Sequence, residues 1–190
     1  MRRILFGLGV LAFGCVPFAA AQETPKVEIF GGYTYVRSNV IPSCLCFDLH
    51  GGSGSVAYNL NNWFGLVGDF GGYKASNVEG TGLDLTIFSY QFGPRISWRK
   101  NNRLTLFGHV LVGGARGSGS LLAPALGGSS QSENVFALTS GGGMDINLNR
   151  RLAVRVFQAE HFFTKFTNTT NNRQNNLRLS AGIVIHLGSR

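Results

Sequence analysis

From Leu177 to Leu187 every second residue is apolar: Leu177, Leu179, Ala181, Ile183, Ile185 and Leu187. Between them stand Arg178, Ser180, Gly182, Val184 and His186, mostly small or polar. A period of two means an extended strand with two chemically different faces. The same alternation recurs upstream. Val27, Ile29, Tyr33 and Tyr35 alternate with Glu28, Phe30, Thr34 and Val36; Phe88, Tyr90, Phe92, Ile96 and Trp98 alternate with Ser89, Gln91, Gly93, Arg95 and Ser97. The pattern predicts eight strands, over residues 27–38, 48–59, 63–76, 83–99, 103–116, 134–148, 151–166 and 175–188. Three carry local irregularities. In the third, Trp63 shares a face with Val67 and Asp69. In the fourth, Leu83, Leu85 and Ile87 fall on the opposite phase, which predicts a bulge or a change of environment near Ile87, and Pro94 cannot donate to a ladder. In the seventh, Phe157 falls on the face of Ala153 and Arg155, and the phase is lost across residues 158–163.

The connections alternate too. Those after strands two, four and six are about 2–4 residues long, and the others are longer and looser. Strands of about 9–11 residues cross a bilayer when tilted, and short turns on one rim with long loops on the other is an outer-membrane layout. A soluble barrel would bury the bulky face and wet the other. Here the second face is Gly, Ser, Ala and Thr with single charges, which suits a narrow lumen. The prediction is an all-β, eight-stranded antiparallel up-and-down transmembrane β-barrel with both termini on the short-turn rim. Tyr33, Tyr35, Trp98 and Phe166 are expected in interface girdles.

Composition supports a surface covered by something other than water: charged residues are 14% of the chain, against roughly 25% in soluble domains. Residues 1–21 read as a secretory signal peptide, with Arg2 and Arg3, an apolar run over 4–16 and Ala19, Ala20 and Ala21. A lipoprotein signal would use Cys15, but Phe13 stands where a small residue is wanted. The barrel domain is then 22–190. Removing Arg2 and Arg3 leaves 15 basic against nine acidic residues. That excess is scattered and not interleaved with stacking aromatics, which argues against nucleic acid. Cys44 and Cys46 could pair in an oxidising compartment, although C-x-C closes a tight ring; separate thiols or a link between chains stay open.

The predicted inner face carries Glu28, Asp69, Arg95, His109, Asp145, Arg155, Arg178 and His186. Both signs occur, and buried charges must pair or be wetted, so a charge network plugging the lumen is expected, with a small porin-like channel as the alternative. His50, His109, His161 and His186 lie on separate elements without metal-ligand spacing, so neither metal nor cofactor is expected. Gly52, Gly54 and Ala57 fit a dinucleotide string, but no helix follows.

The chain resembles the outer-membrane barrel family that includes the transmembrane domains of OmpA and OmpX, over residues 26–187. Ser180, Gly182, Ile185 and Leu187 resemble the C-terminal insertion signal of that family, with aliphatic residues where its last aromatics stand. The resemblance implies outer-membrane localisation, insertion by the barrel-assembly machinery, and outer-membrane lipid and lipopolysaccharide as surroundings, for a monomer of structural or adhesion-type role. Contacts with an unidentified extracellular ligand are expected in residues 38–47, 77–82, 117–133 and 167–174. Some small barrels of this kind modify lipid A with a His-x-Ser pair and a carboxylate. The nearest material here is Glu160-His161 near the outer end of strand seven; there is no His-x-Ser, adjacent strand residues point to opposite faces, and His161 is read as a rim or lumen residue, so no enzyme is expected.

Overall fold

The computed structural model describes residues 24–39, 46–76, 84–100, 103–119, 131–166 and 173–189. They form eight strands: β1 (Pro25–Asn39), β2 (Cys46–Asn59), β3 (Phe64–Ala75), β4 (Leu85–Lys100), β5 (Leu104–Gly119), β6 (Gln131–Asn147), β7 (Leu152–Thr164) and β8 (Gln174–Ser189). Each pairs antiparallel with its sequence neighbour, and β8 pairs with β1 to close the barrel. Closure leaves no edge of unpaired backbone groups, the condition for strands to cross hydrocarbon. No helix occurs among the described residues.

The register fixes the shape. From Ile96 the pairings run through Gly108, Gly142, Ala159, Leu179, Tyr35, His50 and Lys74 and return to β4 at Thr86, ten residues from the start. A shear of that size on eight strands tilts them by about 40° and leaves a lumen only wide enough for side chains.

Alternation sorts the residues as a membrane demands. Leu177, Leu179, Ile183, Ile185 and Leu187 of β8 all face outward, as do Leu66, Phe70, Phe88, Tyr90, Phe92, Ile96 and Val110 elsewhere. Phe92 is 67% exposed and Ile183 54%, an apolar band far larger than a soluble surface tolerates. Tyr58, Trp63 and Trp98 are exposed at the short-turn rim, where amphipathic rings sit at a membrane interface.

Four local expectations are resolved or revised. The register of β4 with β3 runs unbroken from Ile96 to Leu85, and Leu85 and Ile87 point inward, so the environment changes there and the strand does not bulge. The β4–β5 pairing skips Gly93 and Pro94, as the missing donor requires. Trp63 lies in the turn and faces outward. Phe166 is not a girdle residue; it is buried in the lumen. Residues 1–23 and 40–45 lie outside the described residues, and with them the leader and Cys44; of Cys46 only the backbone pairing with Asn39 is described.

Candidate functional site

The lumen is filled in three layers, taken from the short-turn rim outward. In the first, two arginines of β4 hold Glu28 of β1: Arg95 Nη1 lies 2.8 Å from Oε2, and Arg99 Nη2 donates to Oε1 at 2.6 Å. Asn59 Nδ2 also donates to Oε1, at 2.9 Å. Alongside, Arg155 of β7 donates from Nε and Nη2 to the two oxygens of Asp145 at 2.7 and 3.0 Å, and from Nη1 to Gln158 Oε1 at 2.6 Å. The Arg155 guanidinium lies between the rings of Phe30 and Phe107, 4.3 Å from each centroid, and Arg95 lies 4.2 Å from Phe107. Planar, weakly hydrated guanidinium can stack and donate at once, which an ammonium cannot.

The second layer centres on Arg178. Its Nε and Nη2 donate to Glu160 at 2.6 and 2.8 Å, while Nη1 donates to Asp69 at 2.8 Å and Tyr73 OH at 2.9 Å. His109 Nε2 lies 2.6 Å from Glu160 Oε1. The third layer is an apolar cluster: Val36, Phe47, Leu49, Ala75, Leu85, Ile87, Ala115, Ala137, Phe162 and Phe166 pack together with Tyr73 toward the outer end.

The backbone makes this packing possible at two places. Arg95, His109, Gly141, Glu160 and Arg178 form one paired row over β4 to β8. Gly141 lets β7 and the Glu160 side chain approach closely, because a Cβ there would stand 2.3 Å from the Ala159 carbonyl oxygen, 2.6 Å from Glu160 Cα and 2.8 Å from Glu160 Cγ. A register shift between Arg155 and Gln158 then sets the phase of β7. It puts Val156 and Phe157 both outside and turns Gln158 and Glu160 inward.

Comparison with known proteins agrees with this architecture. The model of the outer membrane protein beta-barrel domain matches residues 6–184. The chain belongs to that family. It is an outer-membrane protein. No curated protein matches the sequence. Among solved structures, Neisserial surface protein A has a TM-score of 0.65 at 13% identity, covering 88% of this chain and 100% of its own. Ail of Yersinia pestis has 0.56 at 20% identity, covering 84% and 98%. OprG of Pseudomonas aeruginosa has 0.57 at 11%, covering 86% and 96%.

In this outer-membrane barrel, Glu28, Asp69, Arg95, His109, Asp145, Arg155 and Arg178 all point into the lumen and meet as described. His186 is half-buried opposite Glu28 in the register and makes no described ion pair. Four lumen residues lie outside the expected set: Arg99 and Tyr73, although in phase with Arg95 and Asp69, and Gln158 and Glu160, beyond the shift in β7. Phe157, expected inside, is outside. His161 faces outward and bonds Asn175 Oδ1 at 3.1 Å, while Glu160 points inward, so the two do not share a site. Four carboxylates (Glu28, Asp69, Asp145, Glu160) thus meet four guanidiniums (Arg95, Arg99, Arg155, Arg178) in the described lumen.

Proposed function

We propose that this barrel is a closed, non-enzymatic scaffold whose role is structural or surface-interacting, of adhesion type, carried by its outer loops. The observation that carries the reading is the lumen. Each of its carboxylates is held by one or two arginines, Arg155 and Arg178 in bidentate fashion, and an apolar cluster packs its outer end, which supports a lumen without a hydrated ion path. Ail, of like fold, has been solved with the heparin analogue sucrose octasulfate, which fits the same class of role. Residues 1–21 act in this reading as the export signal. Gly182, Ile185 and Leu187 serve as the recognition strand for the barrel-assembly machinery.

Planar-bilayer recording separates this from a small porin-like channel. The scaffold reading requires no reproducible discrete openings; steady unitary currents would refute it. Replacing residues 38–47, 77–82, 117–133 and 167–174 with short turns is expected to leave a folded barrel that no longer adheres. Adhesion unchanged by all four replacements would exclude the loops as its carrier.

A further inference from the structure

Inward alternation continues past the first charge layer to the short-turn mouth of the barrel. Lys26, Arg103 and Arg151 each stand two residues before an inward-facing side chain of their own strand: Glu28, Thr105 and Ala153. The ladder reaches all three. Lys26 belongs to β1, Asn147 N donates to Arg103 O at 2.8 Å, and His186 N donates to Arg151 O at 2.9 Å. Asn149 Oδ1 also accepts from Arg151 N and Leu152 N, which fixes that turn. A shear of ten residues over eight strands moves each paired row by about one and a quarter residues per strand. With that correction Lys26, Arg99, Arg103, Arg151 and the half-buried His186 fall within about two residues of one height, below Glu28 and Asp145.

The charge of this cup is unbalanced. In it and the layer above stand Lys26, Arg95, Arg99, Arg103, Arg151 and Arg155, against Glu28 and Asp145, and arginines already hold both carboxylates. Lys26, Arg103 and Arg151 are exposed and have no acidic partner among the described residues. Arg95 is buried, yet its Nε and Nη2 have no hydrogen-bond partner there, with Asp145 Oδ2 3.6 Å from Nη2. Donors and positive charge are therefore in surplus at this end of the lumen.

Orientation and spacing select the partner. Phase turns these cations toward the barrel axis and away from lipid. Neighbouring strands lie about 4.8 Å apart, so Lys26, Arg151 and Arg103, on β1 and just ahead of β7 and β5, follow one another at about 10 Å. Cations so spread do not converge on one compact phosphate. About 10 Å is the length of three extended residues, which fits carboxylates recurring at every third position of an extended chain. The convex face of a folded protein is too broad for a mouth this narrow. We propose that the short-turn mouth is a binding cup for an extended acidic segment of a periplasmic protein, held by Lys26, Arg103 and Arg151 over a floor of Arg95 and Arg99. The cup rests on the outer-membrane orientation, with short turns in the periplasm. It is separate from the outer loops, so adhesion results do not bear on it.

The test uses the full chain folded in zwitterionic detergent micelles, with a fluorescent peptide of Glu-Ser-Ser repeats followed by anisotropy at low salt and its Gln-Ser-Ser counterpart as the neutral control. The native chain should bind the acidic peptide alone and release it as salt is raised. Lys26→Gln with Arg103→Gln and Arg151→Gln should weaken binding about a hundred-fold, and Arg151→Gln alone about five-fold. The outer-rim variant Lys74→Gln, Arg116→Gln, Lys165→Gln should bind as the native chain does. Heat-modifiable gel mobility reports folding, and the single variant decides if the triple one does not fold. Native binding no stronger than to the neutral peptide, affinity that survives the cup variants, or an equal loss in the outer-rim variant overturns the cup. Equal competition by inorganic phosphate or by soluble cell-wall fragments overturns the acidic-peptide assignment.

Discussion

The two halves of the lumen are packed by opposite means. Toward the short-turn rim and centre, four carboxylates and four guanidiniums fill the space, and each ion depends on its partners. At the outer end, packed apolar side chains do so, and each contributes in proportion to what it fills. Burying an ion pair gains little over an apolar pair of similar volume, but removing one partner leaves an uncompensated charge. The charged half should therefore be brittle and the apolar half graded.

The largest effect is expected at Arg178, which holds two carboxylates. Arg178→Met should cost about 3–5 kcal/mol, read from urea titration of the folded, heat-modifiable form. A cost below about 1 kcal/mol would mean that the carboxylates find water or other partners. In the apolar layer Leu49 is fully buried, and Leu49→Ala should cost about 2–4 kcal/mol by lost transfer and cavity terms. Equal sensitivity at every apolar position, regardless of size, would break the contrast.

Gly141→Ala sharpens it differently. The added methyl would stand 2.3 Å from the Ala159 carbonyl oxygen and 2.6 Å from Glu160 Cα, so the β6–β7 backbone has to move as well as the Glu160 side chain, at about 1–3 kcal/mol; a neutral result would show that this junction can give. The smallest effect belongs to the exposed Arg37–Asp48 pair, where the side chains are 50% and 39% exposed. Arg37→Gln should change stability by less than about 1 kcal/mol. A larger loss would mean that rim pairs are not solvent-screened.

The eight strands were legible because alternation is a local signal. The run from Leu177 to Leu187 alone shows a lipid face and a lumen face. The charge layer was legible wherever a strand keeps phase, as at Glu28, Asp69, Arg95, Asp145 and Arg178. It was lost in β7, where one extra residue beside Val156 and Phe157 reverses the faces and sends Glu160 inward and His161 outward. The apolar outer layer was hidden for a different reason. Val36, Leu49, Leu85, Ile87 and Phe166 come from strands distant in sequence, and inside a membrane barrel their hydrophobicity imitates the lipid face. Val36, in phase with Glu28 and Thr34, and the change of phase at Leu85 and Ile87 marked it.

A double-mutant cycle on Arg178 and Glu160 tests most directly whether the lumen is held by an interlocked charge lattice. Arg178→Met, Glu160→Gln and the combined variant are unfolded in urea from lipid vesicles. The account predicts a coupling above about 2 kcal/mol, with the combined variant losing far less than the two single losses together. Losses that add to within about 0.5 kcal/mol would contradict it.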